Sequence, residues 1–379
     1  MAIPHIGLNA HLLSLEKNYR SAGISGYIHN LLMHLADMKP EYHYTAFLSD
    51  KRVHSTKNLT VSHSLFPTAN PLARIIWEQA FQPFALLHNK INLLHALAFI
   101  APVMVPCPFI ITIYDLSFKR YPDAFRPFKR WYLDTFTAYS ARRAKAIIAI
   151  SESTRQDIIQ LYDITPAKVH TIYCGVDAIF RRYSSAEIAL FKQKNGLPKS
   201  FIFYLGTIEP RKNVLGLIEA YAMWKKHDTH APKLLIGGGK GWYYQHVFQL
   251  VETHNLTDSI IFVGYIPQAE LPLWHNSATL FIYPSFFEGF GLPIIEAMAC
   301  GTPVITSNIS SMPEAAGEAA ILNDPNDTVA LAESMKSTFY DVTLRTRLQQ
   351  KGFEQAKKFS WRKTAVETVS LYQHVLSSS

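Results

Sequence analysis

The segment Pro284-Ser285-Phe286-Phe287-Glu288-Gly289-Phe290-Gly291-Leu292-Pro293-Ile294-Ile295-Glu296 carries the densest set of residues able to do chemistry. It follows the apolar run Leu280–Tyr283 and leads into helical spacing. Gly289 and Gly291 let the backbone approach a ligand closely. A helix opening near Pro293 turns free N–H groups and the positive end of its dipole toward an anion. Glu288 before that helix and Glu296 about one turn into it can both offer carboxylates to hydroxyl groups. Spacing alone leaves an ordinary glycine turn with acidic neighbours equally open.

A second constellation, Gly206-Thr207-Ile208-Glu209-Pro210-Arg211-Lys212-Asn213, also leaves a strand and enters a helix. Arg grips a phosphate through two parallel hydrogen bonds, and Lys adds a compact charge. A solvated helix start is the bland alternative, but cations there oppose the helix dipole unless an anion is near. A third, Ser21-Ala22-Gly23-Ile24-Ser25-Gly26-Tyr27, is a glycine turn that could cradle a diphosphate or be a plain loop. Gly237-Gly238-Gly239-Lys240-Gly241 looks like a phosphate loop, but no Ser or Thr follows Lys240, so it reads as a turn after a strand. No Gly-x-Gly-x-x-Gly opens the first helix, and no Asp-x-Asp occurs to hold a divalent cation.

Those residues need a frame that places strand ends beside helix starts. With 379 residues, 48% hydrophobic and 17% charged, the chain is long enough for two domains, each with its own core. Strand-like runs alternate with helical spacing: His5–Asn9, His43–Leu48, Ile91–Ala96, Phe109–Tyr114, Ala146–Ile150 and Val169–Tyr173, then Phe201–Gly206, Lys233–Gly237, Ile260–Val263, Leu280–Tyr283, Val304–Thr306 and Ala320–Leu322. Helical spacing appears at Tyr27–Leu35, Val214–Ala222 and Val329–Met335. This alternation predicts parallel sheets covered by helices on both faces. Ile91 to Ile113 lacks any charge and is long enough to span a bilayer, but Pro102, Pro106 and Pro108 fit two buried strands and a loop better.

The formal charge of +8 points to anionic partners. Basic residues are spread along the chain, which argues against nucleic acid. Three scattered cysteines, Cys107, Cys174 and Cys300, fit a reducing compartment and no structural zinc. The start of the chain lacks signal-peptide character. A cytoplasmic location is therefore expected.

These segments resemble the retaining glycosyltransferases of family 4. The likeness is carried by Gly206–Asn213, the Glu288 and Glu296 pair, and Gly301-Thr302-Pro303-Val304-Ile305-Thr306-Ser307. Gly23, Ser151-Glu152-Ser153-Thr154, Gly175-Val176-Asp177, Pro313-Glu314-Ala315-Ala316-Gly317 and Phe359-Ser360-Trp361 extend it over nearly the whole chain. The resemblance implies an α/β protein of the GT-B type, with two Rossmann-like doubly wound domains facing a central cleft. Residues 1–180 would bind the acceptor, with a terminal helix over 361–376 packing back on them. Residues 181–360 would bind the nucleotide-sugar donor.

By the same resemblance, Arg211 and Lys212 hold the donor's diphosphate with help from Gly23. Glu288 and the backbone of Gly289, Phe290, Gly291 and Leu292 hold the sugar, and Glu296 holds the ribose. Tyr265 and Ile266, in the Val263–Ile266 turn, contact the base. Glu288, Arg211, Lys212 and Asp115 are the catalytic candidates. The family retains anomeric configuration, and the departing phosphate would help deprotonate the acceptor. No metal or other cofactor is expected, so fixed cations and helix ends must stabilise the leaving group. Two positions depart from the family: Thr207 replaces a frequent arginine, and Tyr114 replaces a histidine before Asp115. His95 could contribute in place of that histidine, although a buried histidine satisfied by backbone is the plainer reading.

Ile113–Phe118 and Glu209–Asn213 resemble the mannosyltransferase branch. The expected reaction is transfer of mannose from GDP-mannose to a saccharide or lipid-linked saccharide in cell-surface polysaccharide synthesis. A UDP-sugar donor, a sugar phosphorylase or epimerase, and a non-catalytic nucleotide-sugar or lipid-binding protein are the alternatives. Residues 119–145, including Lys119, Arg120, Arg126, Lys129, Arg130, Trp131, Arg142, Arg143 and Lys145, form a basic aromatic stretch. It could dock the protein peripherally on the anionic inner face of the cytoplasmic membrane, or be a solvated helix.

Overall fold

The computed structural model describes residues 3–15, 23–38, 42–64, 66–68, 70–239, 241 and 244–378. Ser21 and Ala22 of the first glycine turn and Lys240 of the triple-glycine turn lie outside them. The chain divides into two compact units, Met1–Gly175 with Trp361–Ser379, and Val176–Ser360. The division falls at Gly175, slightly ahead of the expected 180.

Among the described residues, the first unit contains β1 (His5–Asn9), β2 (His43–Leu48), β3 (Leu59–His63), β4 (Leu93–Ala96), β5 (Phe109–Ile113), β6 (Ala146–Ala149) and β7 (Val169–Thr171). They form a parallel sheet in the order β3-β2-β1-β4-β5-β6-β7. Every residue of β5 and β6 is buried, which is why those strands read as unbroken apolar runs. The uncharged stretch from Ile91 to Ile113 is β4, a proline-containing loop and β5. No helix among the described residues is long and apolar enough to cross a membrane. β3 has no counterpart in the sequence reading. It lies at the sheet edge with only Leu59 buried, so its mixed composition gave no apolar signal.

The terminal helix Trp361–Ser377 belongs to the first unit, with Trp361 edge-on to Tyr27 at 5.4 Å. The Ser151–Thr154 motif has a local cause: the Ser151 hydroxyl accepts from the Thr154 N–H (3.0 Å) and caps helix Glu152–Tyr162.

The second unit contains β8 (Phe201–Leu205), β9 (Lys233–Gly237), β10 (Ile260–Gly264), β11 (Leu280–Tyr283), β12 (Val304–Ser307) and β13 (Ala320–Asn323), ordered β10-β9-β8-β11-β12-β13 and parallel. Each sheet reverses its strand order once, at β1/β4 in the first unit and at β8/β11 in the second. Doubly wound sheets bind ligands at the carboxyl ends of strands beside that reversal. The Gly206–Asn213 segment follows β8 and the Pro284–Glu296 segment follows β11, so the second sheet brings together the two constellations singled out above.

The triple-glycine turn fixes the β8 end. Gly206 N–H donates to Gly237 O (2.9 Å), Gly238 N–H to Gly264 O (2.7 Å) and Ile208 N–H to Gly239 O (3.0 Å). Gly238 sits at φ 133°, and a Cβ there would lie 2.0 Å from Gly206 O. The run is a backbone clasp between strand ends. Gly238→Ala is expected to lower stability by roughly 2–3 kcal/mol, read as a fall in thermal midpoint. An unchanged midpoint contradicts the clasp.

Candidate functional site

The residues after β8 form a single 3-10 turn, Pro210–Lys212, ahead of helix Val214–His227. Asn213 joins the two in a left-handed conformation (φ 54°) and is anchored through its amide to Pro325 O at 2.8 Å. This turn aims Arg211 and Lys212 at the loop that follows β11.

There they meet Glu288. Lys212 Nζ lies 2.6 Å from Glu288 Oε1, and Arg211 Nη1 lies 3.1 Å from Glu288 Oε2. Arg211 also donates to Phe287 O (2.6 Å) and to Glu209 Oε1 (2.9 Å). Phe286 N–H donates back to Arg211 O at 2.9 Å. The sequence reading gave the cations to a diphosphate and the glutamate to a sugar. The structure joins all of them in one ionic group of two cations and two carboxylates, of which Glu288 is buried and the others are partly exposed. The anion that answers the helix-dipole conflict is therefore the protein's own.

The charges shift one another unequally because one carboxylate serves two cations. Burial pushes the Glu288 carboxyl up, but Lys212 and Arg211 outweigh it and bring it from 4.5 down to about 2. Burial draws the Lys212 ammonium down and Arg211 adds to this, with Glu288 opposing. Lys212 also donates to the Tyr283 hydroxyl at 2.6 Å. Tyr283, the last residue of β11, was missed in the sequence because it read as part of an apolar strand.

Ser310 and Ser311 were missed as well. Both hydroxyls donate to Glu288 O (2.9 and 2.8 Å), and Glu288 N–H donates to Ser310 Oγ at 3.2 Å. Their signal was adjacency to Pro313-Glu314. Together they hold the Glu288 backbone at both its N–H and its C=O.

Gly291, at φ 103°, precedes helix Leu292–Ala299, and Pro293 falls in its first turn. Phe290 is buried, edge-on to Phe359 at 5.2 Å, so only its backbone can serve a ligand. Glu296 lies on the same helix in a different field. Burial, with Asp177 adding, pushes its carboxyl up to about 8. The two carboxyls of the motif therefore sit in opposite fields, one drawn down by cations and the other pushed up by burial and Asp177. After β10, Tyr265 is 42% exposed while Ile266 is buried. A Cβ on Gly237 would come within 2.8 Å of Ile266 Cδ1, so the Ile266 side chain is committed to packing.

The remaining candidates belong to the first unit. Gly23 precedes helix Ile24–Asp37 at φ 64°, a conformation that favours glycine. Asp115 is half-buried and accepts from Ser117 N–H at 2.8 Å. Tyr114 is a core residue whose hydroxyl donates to Leu97 O (2.6 Å). His95 is fully buried between the Tyr372 and Thr112 hydroxyls, each at 2.8 Å, and burial lowers its pKa to about 3. Side chains rather than backbone satisfy it.

In the basic stretch, Arg120 pairs with Asp157, Lys119 approaches Asp134 (3.5 Å), and Arg143 donates to Val103 O and the Tyr139 hydroxyl. It is therefore not a uniform basic face. At the start of helix Pro127–Arg143, Phe128 and Trp131 are 65% and 55% exposed beside exposed Arg126, Lys129 and Arg130, and Arg142, Arg143 and Lys145 are exposed at its other end.

With this geometry in view, the family model "Glycosyltransferase Family 4" matches residues 21–179, and "Glycosyl transferases group 1" matches residues 187–355. The chain is 35% identical over 267 residues to the O-antigen chain mannosyltransferase B of Escherichia coli, covering 70% of each protein. It is 34% identical over 256 residues to the serotype-specific mannosyltransferase WbdA of Escherichia coli, covering 66% of this chain and 31% of that much longer relative. In fold it is similar to sucrose-phosphate synthase from Thermosynechococcus elongatus, with a TM-score of 0.80 and 21% identity over 99% of this chain and 100% of that one.

The ionic group makes a pH prediction. The pKa of Glu288 is lower in the folded protein, so its contribution is present above about 4.5 and is lost as pH falls through about 2. Glu288→Gln should cost about 3 kcal/mol at pH 7 by leaving two largely enclosed cations short of an anion. The gap to the unsubstituted protein should close as pH falls toward 2. Urea unfolding at several pH values measures it, and a gap independent of pH would refute the pairing.

Proposed function

The chain belongs to glycosyltransferase family 4, with the GT-B fold, and on that premise we propose that it transfers mannose from GDP-mannose to a saccharide or lipid-linked saccharide acceptor. The supporting observation is the Arg211–Lys212–Glu288 group at the β8/β11 reversal, together with the naming of the mannosyltransferase relatives as O-antigen and serotype-specific enzymes. Synthesis of a cell-surface polysaccharide follows from the same likeness.

In this reading the second unit takes the donor. A diphosphate draws on Arg211 and Lys212, which already lie side by side in a buried site of low effective dielectric. There their stabilisation of a departing anion is stronger than in water. The start of helix Leu292–Ala299 and the backbone of Gly289 and Gly291 add N–H groups. Glu288, fixed by Ser310 and Ser311, presents its carboxylate to a sugar hydroxyl. Glu296, as a neutral acid, can donate as well as accept toward the ribose, and exposed Tyr265 offers a face to the base. The sugar keeps its anomeric configuration, and the leaving phosphate assists removal of the acceptor proton. Asp115 is a positioning candidate in the first unit. In this reading the protein's own cations serve in place of a divalent metal.

One experiment addresses donor and metal together. In buffer containing a chelator, GDP at one hundred times its dissociation constant should stabilise the protein by roughly 2.7 kcal/mol, visible as a thermal shift, while UDP and ADP do less. A response to UDP alone, or one that requires added magnesium, defeats the corresponding half of the reading.

The exposed Phe128 and Trp131 beside Arg126 and Arg130 favour an acceptor met at a bilayer surface. Sedimentation with vesicles containing phosphatidylglycerol should retain the protein at low salt and release it at high salt. Equal sedimentation with neutral vesicles, or none with either, rejects peripheral docking.

A further inference from the structure

In the first unit the strand order reverses at β1 and β4, where Leu97 N–H donates to Asn9 O (3.3 Å). The Arg211–Lys212–Glu288 group occupies the corresponding reversal of the second sheet. Here several buried side-chain nitrogens lack partners. His11, two residues beyond β1, is buried, and neither ring nitrogen has a hydrogen-bond partner. The Trp77 indole N–H and the Gln82 amide nitrogen are likewise buried and unpartnered. Asn9 donates to Gln82 Oε1 at 3.2 Å and to Glu78 Oε1 at 3.4 Å. Burial pushes the Glu78 carboxyl up to about 7. Buried polar groups are nearly always satisfied, because each unmade bond is costly. Three such groups at one ligand-binding strand end point to a missing partner.

The cover over them is irregular. Between helices Pro71–Ile76 and Gln82–His88 the chain makes a π-helical turn, Trp77–Phe81. Turns of this kind recur at functional sites, and this one buries two consecutive residues, Trp77 and Glu78. Trp77 stacks on Phe81 (5.6 Å between centroids), and Phe66 leans on Phe81 at 5.3 Å. Phe66 and Phe81 remain 38% and 43% exposed, so aromatic faces border the polar cluster on its solvent side.

We propose that this cluster is an acceptor subsite: hydroxyls of one sugar unit bond His11, Trp77 and Gln82, and its apolar C–H face packs on Phe66 and Phe81. The chemistry selects this class of ligand. A purely apolar ligand leaves the nitrogens unsatisfied, and an anion would be answered by the charge of Arg74, which acts on both His11 and Glu78, but would leave the Phe66 and Phe81 faces unused. A sugar ring offers both hydroxyls and an apolar face. Entry takes an outward movement of the Trp77–Phe81 turn, where the inserted residue interrupts the regular helix. The subsite rests on the reading of the first unit as the acceptor-binding one.

The test uses the full chain and a panel of trisaccharides ending in mannose or glucose, each on a short alkyl aglycone. Binding is followed by saturation-transfer NMR without donor, and GDP-mannose turnover is measured separately. Trp77→Phe removes the N–H together with the pyrrole half of a buried indole, so it should fold with a modestly lower thermal midpoint. It should bind the preferred trisaccharide roughly 3- to 10-fold more weakly while its thermal response to GDP is unaltered. His11→Leu should show the same loss. Wild-type affinity in both variants, or no trisaccharide bound by the unsubstituted protein, overturns the subsite. Trisaccharide binding that persists in a protein without GDP-mannose turnover upholds the subsite and overturns the mannosyl-transfer reading instead.

Discussion

The second unit is organised around one shared carboxylate. Glu288 accepts both Lys212 and Arg211, and in doing so it ties the loop after β8 to the loop after β11. These loops have no strand pairing with each other beyond their sheet. Their alignment comes from this charge pairing and from backbone bonds such as Phe286 N–H to Arg211 O. A largely enclosed group of two cations and two carboxylates is costly to form piecemeal, because each charge gives up part of its water. It persists because every member has a near partner. The arrangement is therefore all-or-none, and a ligand that enters it meets charges already oriented.

Orientation also separates the two glutamates of the helix-start motif. They are eight positions apart, and cations draw the carboxyl of one down while burial and Asp177 push that of the other up. A site with one anion and one neutral acid can accept at one hydroxyl and donate at another. Two ionised carboxylates can only accept. The difference is set by neighbours from other parts of the chain: Lys212 and Arg211 for the first, Asp177 for the second.

The two sheets share a topology and differ in what stands at the reversal. In the second unit that place is filled with mutually satisfied charges. In the first it holds the unpartnered nitrogens of His11, Trp77 and Gln82. Charged groups suit a charged leaving group, and neutral donors suit a hydroxyl-rich ligand. The contrast gives the units different chemistry on one architectural plan, without any sequence repeat between them.

Much of the architecture was legible in the amino-acid order because its signals are local. Unbroken apolar runs such as Phe109–Ile113 arise when both sheet faces are covered, and glycines mark strand ends where backbones meet. The edge strand Leu59–His63 was illegible because half-exposed edges do not demand apolar residues. Residue types and spacing also singled out Arg211, Lys212, Glu288 and Glu296 as a group worth chemistry, and family likeness assigned them roles. What the linear order could not contain was contact across distance. The capture of both cations by Glu288, the bracing by Ser310 and Ser311, the sealing of His95 between two hydroxyls, and the gathering of His11 with Trp77 all depend on strand order within a sheet and on which helices pack against it. Ionisation and hydrogen bonding depend on separations of a few ångströms, and only the folded chain sets those.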